Sequence, residues 1–273
     1  MYKKRLLVGM CSWNNPKLLK ATVDSLCESL DLSKDGIAVT LNQSDSESIE
    51  YLLNLKIPFV SLPENRGVLA IDYLKPFAEN SEFFMNSNDD MIFHEGFAEE
   101  VLSIMENHYP CSVSVTCLEN FNSNNPCVVV DEELLDFNDV KFQELFKEKA
   151  NKGLYKRDSM ISSFSHPICV KSSDFIKTGG YSGYWDMDFF TGYARDCMFP
   201  YELLQIHGGN FKFIQTKKSC VFHASGATMA KLKEEFDPKQ WERQNGHEAF
   251  RKRTGVYPDE FQRRINLFST IQE

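Results

Sequence analysis

The densest chemistry in this sequence is Asn86-Ser87-Asn88-Asp89-Asp90, directly after the apolar Phe83-Phe84-Met85. Two adjacent carboxylates after a buried strand are costly unless they are solvated, paired or bound to a cation. Oxygen ligands of this kind suit Mg²⁺ or Mn²⁺, which bridge a carboxylate to substrate phosphates. The same segment also reads as a loop whose Asp caps a helix starting near His94-Glu95-Gly96. Three more apolar runs end in polar residues: Ser12 and Asn14, Asn42 to Asp45, and Asn65 to Gly67. In an open parallel sheet, ligands sit beyond the carboxyl ends of the strands. Polar ends gathered at one edge would surround a nucleotide or a phosphosugar.

The elements that must position these residues follow from the apolar pattern. Leu6 to Met10 reads as a buried strand, Ile37 to Leu41 as a second, Phe59 to Leu62 as a third and Glu82 to Met85 as a fourth. Between them, Leu19, Val23, Leu26 and Leu30 recur at helical spacing after a turn that Asn15 or a neighbour could cap. Helices are also predicted over Ile49–Leu55 and Val68–Ala78. Strands alternating with helices predict right-handed crossovers and a parallel sheet, so the fold class is α/β. Beyond Asp90 the pattern predicts a helix over 95–108 and a strand over 112–117. A polar, acidic interruption over 119–156 follows, with a helix expected over 140–150. A strand at His166–Val170, a turn at Gly179-Gly180, a helix over Phe199–Ile206 and short strands at 211–214 and 219–222 come next. From Ala230 the chain reads as mostly helical, broken at Pro258.

Composition bounds the class. At 273 residues, 42% hydrophobic and 25% charged, the chain is a globular one rather than a disordered one. The apolar stretch after the basic N-terminus is too short for a signal peptide, and no run nears the roughly 20 residues that span a bilayer. A cytoplasmic protein without a transmembrane segment is the expectation. The eight cysteines form no C-x-x-C pair, so zinc-ribbon and thioredoxin-like readings lack support, and buried free thiols are expected. Net charge is −9, yet from Phe211 onward twelve Lys/Arg face eight Asp/Glu. That basic tail could favour an anionic acceptor or a phosphate-bearing donor, or be only a solvated helical face.

An ordered set of segments carries a resemblance. Its pieces are the Leu7-to-Leu26 opening with Asn14, Asn65-Arg66-Gly67, Asn88-Asp89-Asp90, Gly179-Gly180-Tyr181, and His223 with Gly226. Together they resemble a family 2 glycosyltransferase with the GT-A fold, over residues 5 to 228. Phe250 with Thr254-Gly255-Val256-Tyr257-Pro258 resembles a closing element of such enzymes. The resemblance implies a GT-A catalytic domain over 1–228, with a mainly parallel central sheet flanked by helices. Residues 1–110 would form its nucleotide-sugar-binding half, 111–228 its acceptor-binding half, and 229–273 a helical C-terminal extension.

The implied activity is inverting transfer of a sugar from a nucleotide-diphosphate donor, by default a UDP-sugar, to an acceptor hydroxyl with Mn²⁺ or Mg²⁺. Asn88-Asp89-Asp90 resembles the family's Asp-x-Asp motif, with Asp90 as principal metal ligand and Asn88 or Asp89 facing the ribose or the metal. His223 resembles a histidine that completes the metal or diphosphate site, and it also reads as a buried histidine bonded to a backbone carbonyl. Ser12, Asn14, Asn42, Asp45, Asn65 and Gly67 fall on the donor side. Asn42 stands where relatives carry an acidic pair that contacts the base, and its amide can still bond a base edge. Asp196 is the implied general base, with Asp188 and Glu202 as rivals. Tyr181 and Trp185 lie where an acceptor would approach, and either could equally pack in the core.

Asn88, Asn42 and Arg195 depart from the family's pattern and keep a second reading open, a catalytically inactive nucleotide-sugar-binding protein on the same fold. A nucleotidyltransferase would want a Gly-rich, basic phosphate loop after the first strand, where this chain has Cys11-Ser12-Trp13-Asn14-Asn15-Pro16. The acceptor stays open among saccharide, protein, lipid carrier and a hydroxymethylated base of bacteriophage DNA. The net charge of −9 weighs against the last, since duplex binding shows a strong basic footprint.

Overall fold

A computed structural model describes residues 3–119, 128–129, 166–181, 193–223 and 246–270. Strands β1 (Lys4–Ser12), β2 (Gly36–Asn42), β3 (Phe59–Leu62) and β4 (Ser81–Asn88) form a wholly parallel half-sheet in the order β3-β2-β1-β4. Their carboxyl ends meet at one edge, where Ser12 pairs with Leu41, Cys11 with Asn88 and Asn42 with Leu62. The sheet continues from β4 through β8 (Ile168–Lys171), β6 (Cys111–Glu119) and β9 (Lys212–His223) to β5 (Met91–Phe93). The two-residue β7 (Val128–Val129) pairs with β6. This second half is mixed. β8 runs antiparallel to both β4 and β6, and β5 antiparallel to β9, while β6 and β9 are parallel.

Helices cover both faces. On one side lie α1 (Pro16–Ser29), α2 (Ser46–Asn54) and α4 (Phe97–His108), sharing one core with Leu6, Val8 and Met10 of β1. On the other lie the 3₁₀ helix Gly67–Leu74, α3 (Lys75–Ala78), α5 (Ser172–Lys177), α6 (Tyr193–His207), α7 (His247–Thr254) and α8 (Pro258–Thr270). Leu7 faces this second layer. With both faces of β1 buried, its sequence reads as one continuous apolar run instead of alternating. Gly9 admits the second layer closely: a Cβ there would stand 2.6 Å from the Phe84 ring and 2.9 Å from Leu74. An aromatic chain fills that layer, with Phe84 stacked on Phe175 at 4.3 Å and Tyr181 stacked on Phe199 at 5.4 Å. Phe250 and Phe261 from the C-terminal helices pack edge-on against Tyr201 of α6, so those helices share a core with the sheet.

Several expectations are corrected. The segment Gly67–Leu74 is 3₁₀, and only Lys75–Ala78 is α-helical. Pro76 lacks the N–H that an α-helix needs, and the Lys75 N–H bonds Asp72 O in the tighter pattern. Strand β4 runs on through Asn86, Ser87 and Asn88, which sequence places in a loop, and β5 follows a two-residue turn. Helix α6 begins at Tyr193, upstream of Phe199, despite Pro200 inside it. The two short strands expected over 211–222 are one strand, β9, whose register on β6 shifts between Ser114 and Thr116. Asn15 makes no side-chain cap, and α1 starts instead on Pro16, with Leu19 N donating to Asn15 O at 3.0 Å. The helix expected over 140–150 lies outside the described residues. Among the described residues no helix is long and apolar enough to cross a membrane. The seven described cysteines are all free thiols.

Candidate functional site

The turn Asp89-Asp90 joins β4 to β5 at the carboxyl edge of the parallel half-sheet, and its two carboxylates have different fates. Asp89 is 6% exposed, and its carboxylate is hydrogen-bonded. Ser12 Oγ at the end of β1 donates to Asp89 Oδ2 at 2.6 Å. Hydroxyls on the buried face of α1 tie down the turn's backbone. Thr22 Oγ1 donates to Asp89 O at 2.8 Å and accepts from Met91 N at 3.1 Å, and Ser25 Oγ accepts from Phe93 N at 3.0 Å. Every buried backbone group must find a partner, and here α1 side chains supply three of them. Ser12 and the Asp89 carboxylate thus hold each other at this edge.

Asp90 is different. It is 7% exposed, and its Oδ1 is buried without accepting a hydrogen bond. His223 Nε2, at the end of β9, stands 3.3 Å from that oxygen, close but without hydrogen-bond geometry. The ladder explains the meeting, since β5 and β9 pair with Met91 opposite His223. A buried carboxylate oxygen without a hydrogen bond costs about 1–3 kcal/mol or more. A shared divalent cation removes that cost. Two ligands each about 2.1 Å from one metal at near-right angles stand roughly 3 Å apart. The orphaned oxygen, the imidazole and their separation therefore fit a metal such as Mn²⁺ or Mg²⁺. Among the described residues no group of three or more His, Cys, Asp or Glu could hold an ion, so phosphate and water oxygens would have to complete the shell.

The remaining donor-side residues form a frame. Asn42, at the end of β2 and 3% exposed, accepts from Arg66 N at 2.6 Å and donates to Asn65 Oδ1 at 2.6 Å and Gly67 O at 3.2 Å. Asn65 Oδ1 also accepts from Gly67 N at 2.8 Å. Gly67 takes a left-handed φ of 55° in this turn, a conformation that favours glycine. Asp45 caps α2, accepting from Ser48 N and Ser48 Oγ, both at 2.7 Å. Asn14 is exposed at the tip of the β1–α1 loop with φ 47°, and Asn88 ends β4 half-buried. Trp13 Nε1 donates to Gln43 Oε1 at 2.9 Å, stitching the loops after β1 and β2 together. A cavity of about 280 Å³ opens beside the Asn65–Gly67 turn, lined by Arg66, Leu69, Asp72, Tyr73 and Lys75. Burial and the charges of Asp89 and Asp72 push the Cys11 thiol well above its ordinary range, so it stays protonated and offers no nucleophile at this edge.

Of the acceptor-side expectations, Tyr181 is a core residue. It is 2% exposed, its ring stacks on Phe199, its hydroxyl accepts from Asn86 Nδ2 at 3.0 Å, and its N–H donates to Asp72 Oδ1 at 2.8 Å. The Gly179-Gly180 turn before it is pinned by Lys75 Nζ, which donates to Gly179 O. Glu202 sits on α6 with its carboxylate held by Arg253 of α7 at 2.9 Å. Asp196 lies on the α6 backbone, while its side chain, together with Trp185 and Asp188, falls outside the described residues. Sequence reasoning missed Thr22, Ser25, Trp13 and Asp72. Thr22 and Ser25 did leave a signal, two hydroxyls within the apolar stripe Leu19-Val23-Leu26.

No family model matches the sequence, and no curated protein matches it either. Solved structures do match in fold. TarS from S. aureus superposes with a TM-score of 0.57 at 10% identity, over 84% of this chain and 38% of that one. TarS 1–349 in complex with UDP-GlcNAc gives 0.55 at 11% identity, over 81% and 58%. GalNAc-T7 with UDP, GalNAc and Mn²⁺ gives 0.54 at 12% identity, over 81% and 43%. The chain thus spans 38–58% of these neighbours' lengths. They are glycosyltransferases with GT-A-like folds, and the mixed α/β sheet described above is a fold of that class.

Proposed function

We propose that this protein is a metal-dependent glycosyltransferase of the family 2, GT-A type, transferring a sugar from a UDP-sugar to an acceptor hydroxyl with inversion. The observation that carries the reading is the buried Asp90 Oδ1, without a hydrogen bond and 3.3 Å from His223 Nε2, at the carboxyl edge of the parallel strands. Solved neighbours of the same fold hold UDP, UDP-GlcNAc, and UDP with Mn²⁺, which supports that donor and that ion.

In this reading Asp90 and His223 hold Mn²⁺ or Mg²⁺, which when bound would offset the negative charge of the departing diphosphate. The Asn42-braced turn and the stitched loops after β1 and β2 shape the nucleotide's seat. Ser12 and Thr22 keep the Asp89-Asp90 turn rigid through the bonds described, so Asp90 is presented without rearrangement. The acceptor oxygen attacks the anomeric carbon as the bond from that carbon to the diphosphate oxygen breaks, and a carboxylate takes the hydroxyl proton. Asp196 is assigned that role. Asp188 is its rival, while Glu202 is already occupied by Arg253.

The direct test is hydrolysis of UDP-GlcNAc and related donors with 1 molar equivalent or excess of MnCl₂ against an EDTA control. UDP release that needs the metal and disappears in Asp90→Ala is the expected result. Asp196→Asn should retain Mn²⁺-dependent UDP binding and lose turnover. Metal-independent UDP release, or full turnover in Asp196→Asn, would remove the corresponding assignment.

A further inference from the structure

We infer that Asn42 is a positioning residue that shapes the donor seat through the Asn65–Gly67 turn, and does not itself read the nucleotide base. The inference rests on the UDP-sugar reading above. Its physical basis is that both ends of the amide are spent inside the protein. Arg66 N is a donor, so the atom facing it must be Asn42 Oδ1, and Gly67 O is an acceptor, so the atom facing it must be Nδ2. Backbone groups thus fix the amide's orientation. With the residue 3% exposed, little of it remains for a ligand to meet.

The brace has a direction. Asn65 Oδ1 only accepts, once from Asn42 Nδ2 at 2.6 Å and once from Gly67 N at 2.8 Å. Position 42 must both donate and accept, whereas position 65 needs an acceptor alone. A carboxylate at 42 would keep the bond from Arg66 N but set a second oxygen against Asn65 Oδ1 and Gly67 O. Arg66, whose N–H this brace holds, lines the 280 Å³ cavity with Lys75, so displacing the turn moves one wall of that cavity. The acidic side chain that a base-reading role would welcome at this position is the one the brace rejects.

Four variants separate the two roles: Asn42→Asp, Asn42→Ala, Asn65→Asp and Asn65→Ala. Each is titrated calorimetrically with UDP plus MnCl₂ at pH 8 and pH 5.5, and melted at both pH values without ligand. Asn42→Asp, Asn42→Ala and Asn65→Ala are expected to weaken UDP binding by about tenfold or more at pH 8, with Asn65→Asp close to wild type. Asn42→Asp should regain affinity and Tm towards wild type at pH 5.5. Its carboxyl faces two acceptors, so the folded state raises its pKa, binds the proton more readily and gains stability as pH falls. Wild-type protein at each pH subtracts the contribution of other groups. Asn42→Asp retaining wild-type affinity and Tm at pH 8 overturns the inference. So does loss of UDP in Asn42→Asp with wild-type binding in Asn65→Ala, which marks direct contact. If wild-type protein takes up no UDP, the donor reading falls. The ligand-free melts then still decide the brace, which is refuted by an Asn42→Asp Tm that equals wild type at both pH values.

Discussion

Replacing Asp90 by Asn should make the metal-free protein more stable and the metal-loaded protein less so. In wild type, Asp90 Oδ1 is buried without a hydrogen bond, and His223 Nε2 stands 3.3 Å away without donating to it. Such an oxygen carries a desolvation cost of about 1–3 kcal/mol. Asparagine preserves the shape, removes the charge and can turn its amide N–H towards the imidazole. For a chain of this size, each kcal/mol moves Tm by about 2–4 °C, so the variant should melt roughly 2–12 °C higher in EDTA. Saturating Mn²⁺ reverses the order, because a ligand at about 100 times its Kd stabilises the folded state by roughly 2.7 kcal/mol, and only wild type binds it well. The assay is thermal melting of both proteins at pH 8, above the ordinary histidine pKa of about 6.5, in EDTA and in a MnCl₂ series. An Asn variant that melts at or below wild type in EDTA, or that shifts with Mn²⁺ as wild type does, refutes the reasoning.

Thr22→Val should lower stability by about 2–4 kcal/mol, since it strands both Asp89 O and Met91 N, and urea denaturation with an unchanged m-value would register it. Gly180→Ala should be far more damaging than Gly208→Ala in the same assay. Both glycines have left-handed φ, 70° and 64°, but a Cβ at 180 would stand 2.1 Å from Asp72 Oδ1 while 208 faces open space. The Gly208 change should cost only about 1–2 kcal/mol of backbone strain. Asp31 should stay ionised down to about pH 2, because the Lys34 ammonium and then the Ser33 hydroxyl bond its carboxylate. The stability it lends is full above the ordinary value of 3.8 and is lost as pH falls through about 2; a carboxyl NMR titration should show Lys34→Ala moving it upward. Cys111 and Cys220, pushed up to about 12 by burial, should resist alkylation at pH 8 until the protein unfolds.

The parallel half-sheet was legible because β1 and β2 are buried on both faces over most of their length. Leu6-Leu7-Val8 and Ile37-Ala38-Val39-Thr40-Leu41 have no polar side to disguise them. The end of β4 was not, since Asn86, Ser87 and Asn88 look like a loop and are strand residues because Gly9, Met10 and Cys11 of β1, and Ile168 of β8, pair with them. Pairing between distant segments has no local signal. The same holds at the site. A two-carboxylate turn could be read from adjacent letters, but which of the two finds a hydrogen bond depends on Ser12, brought there by the pairing of β1 with β4. The polar residues after β2 and β3 stand out in the sequence as a group, but nothing in it says that Asn42 and Asn65 bond each other while Asp45 caps a helix. Residue type gives hydrogen-bonding capacity, and only the fold assigns its partners.

Asp90, in the turn just before β5, and His223, at the end of β9, are far apart in the chain, and their meeting depends on β9 closing against β5 with Met91 opposite His223. Because side chains alternate along a strand, slipping that register by one residue would turn the imidazole to the opposite side of the sheet. An ion that needs both ligands cannot be captured by a chain whose last strand is still loose. Uptake of Mn²⁺ during refolding should therefore lag the formation of the parallel half-sheet, and serve as a chemical clock for the closing of the sheet's far end.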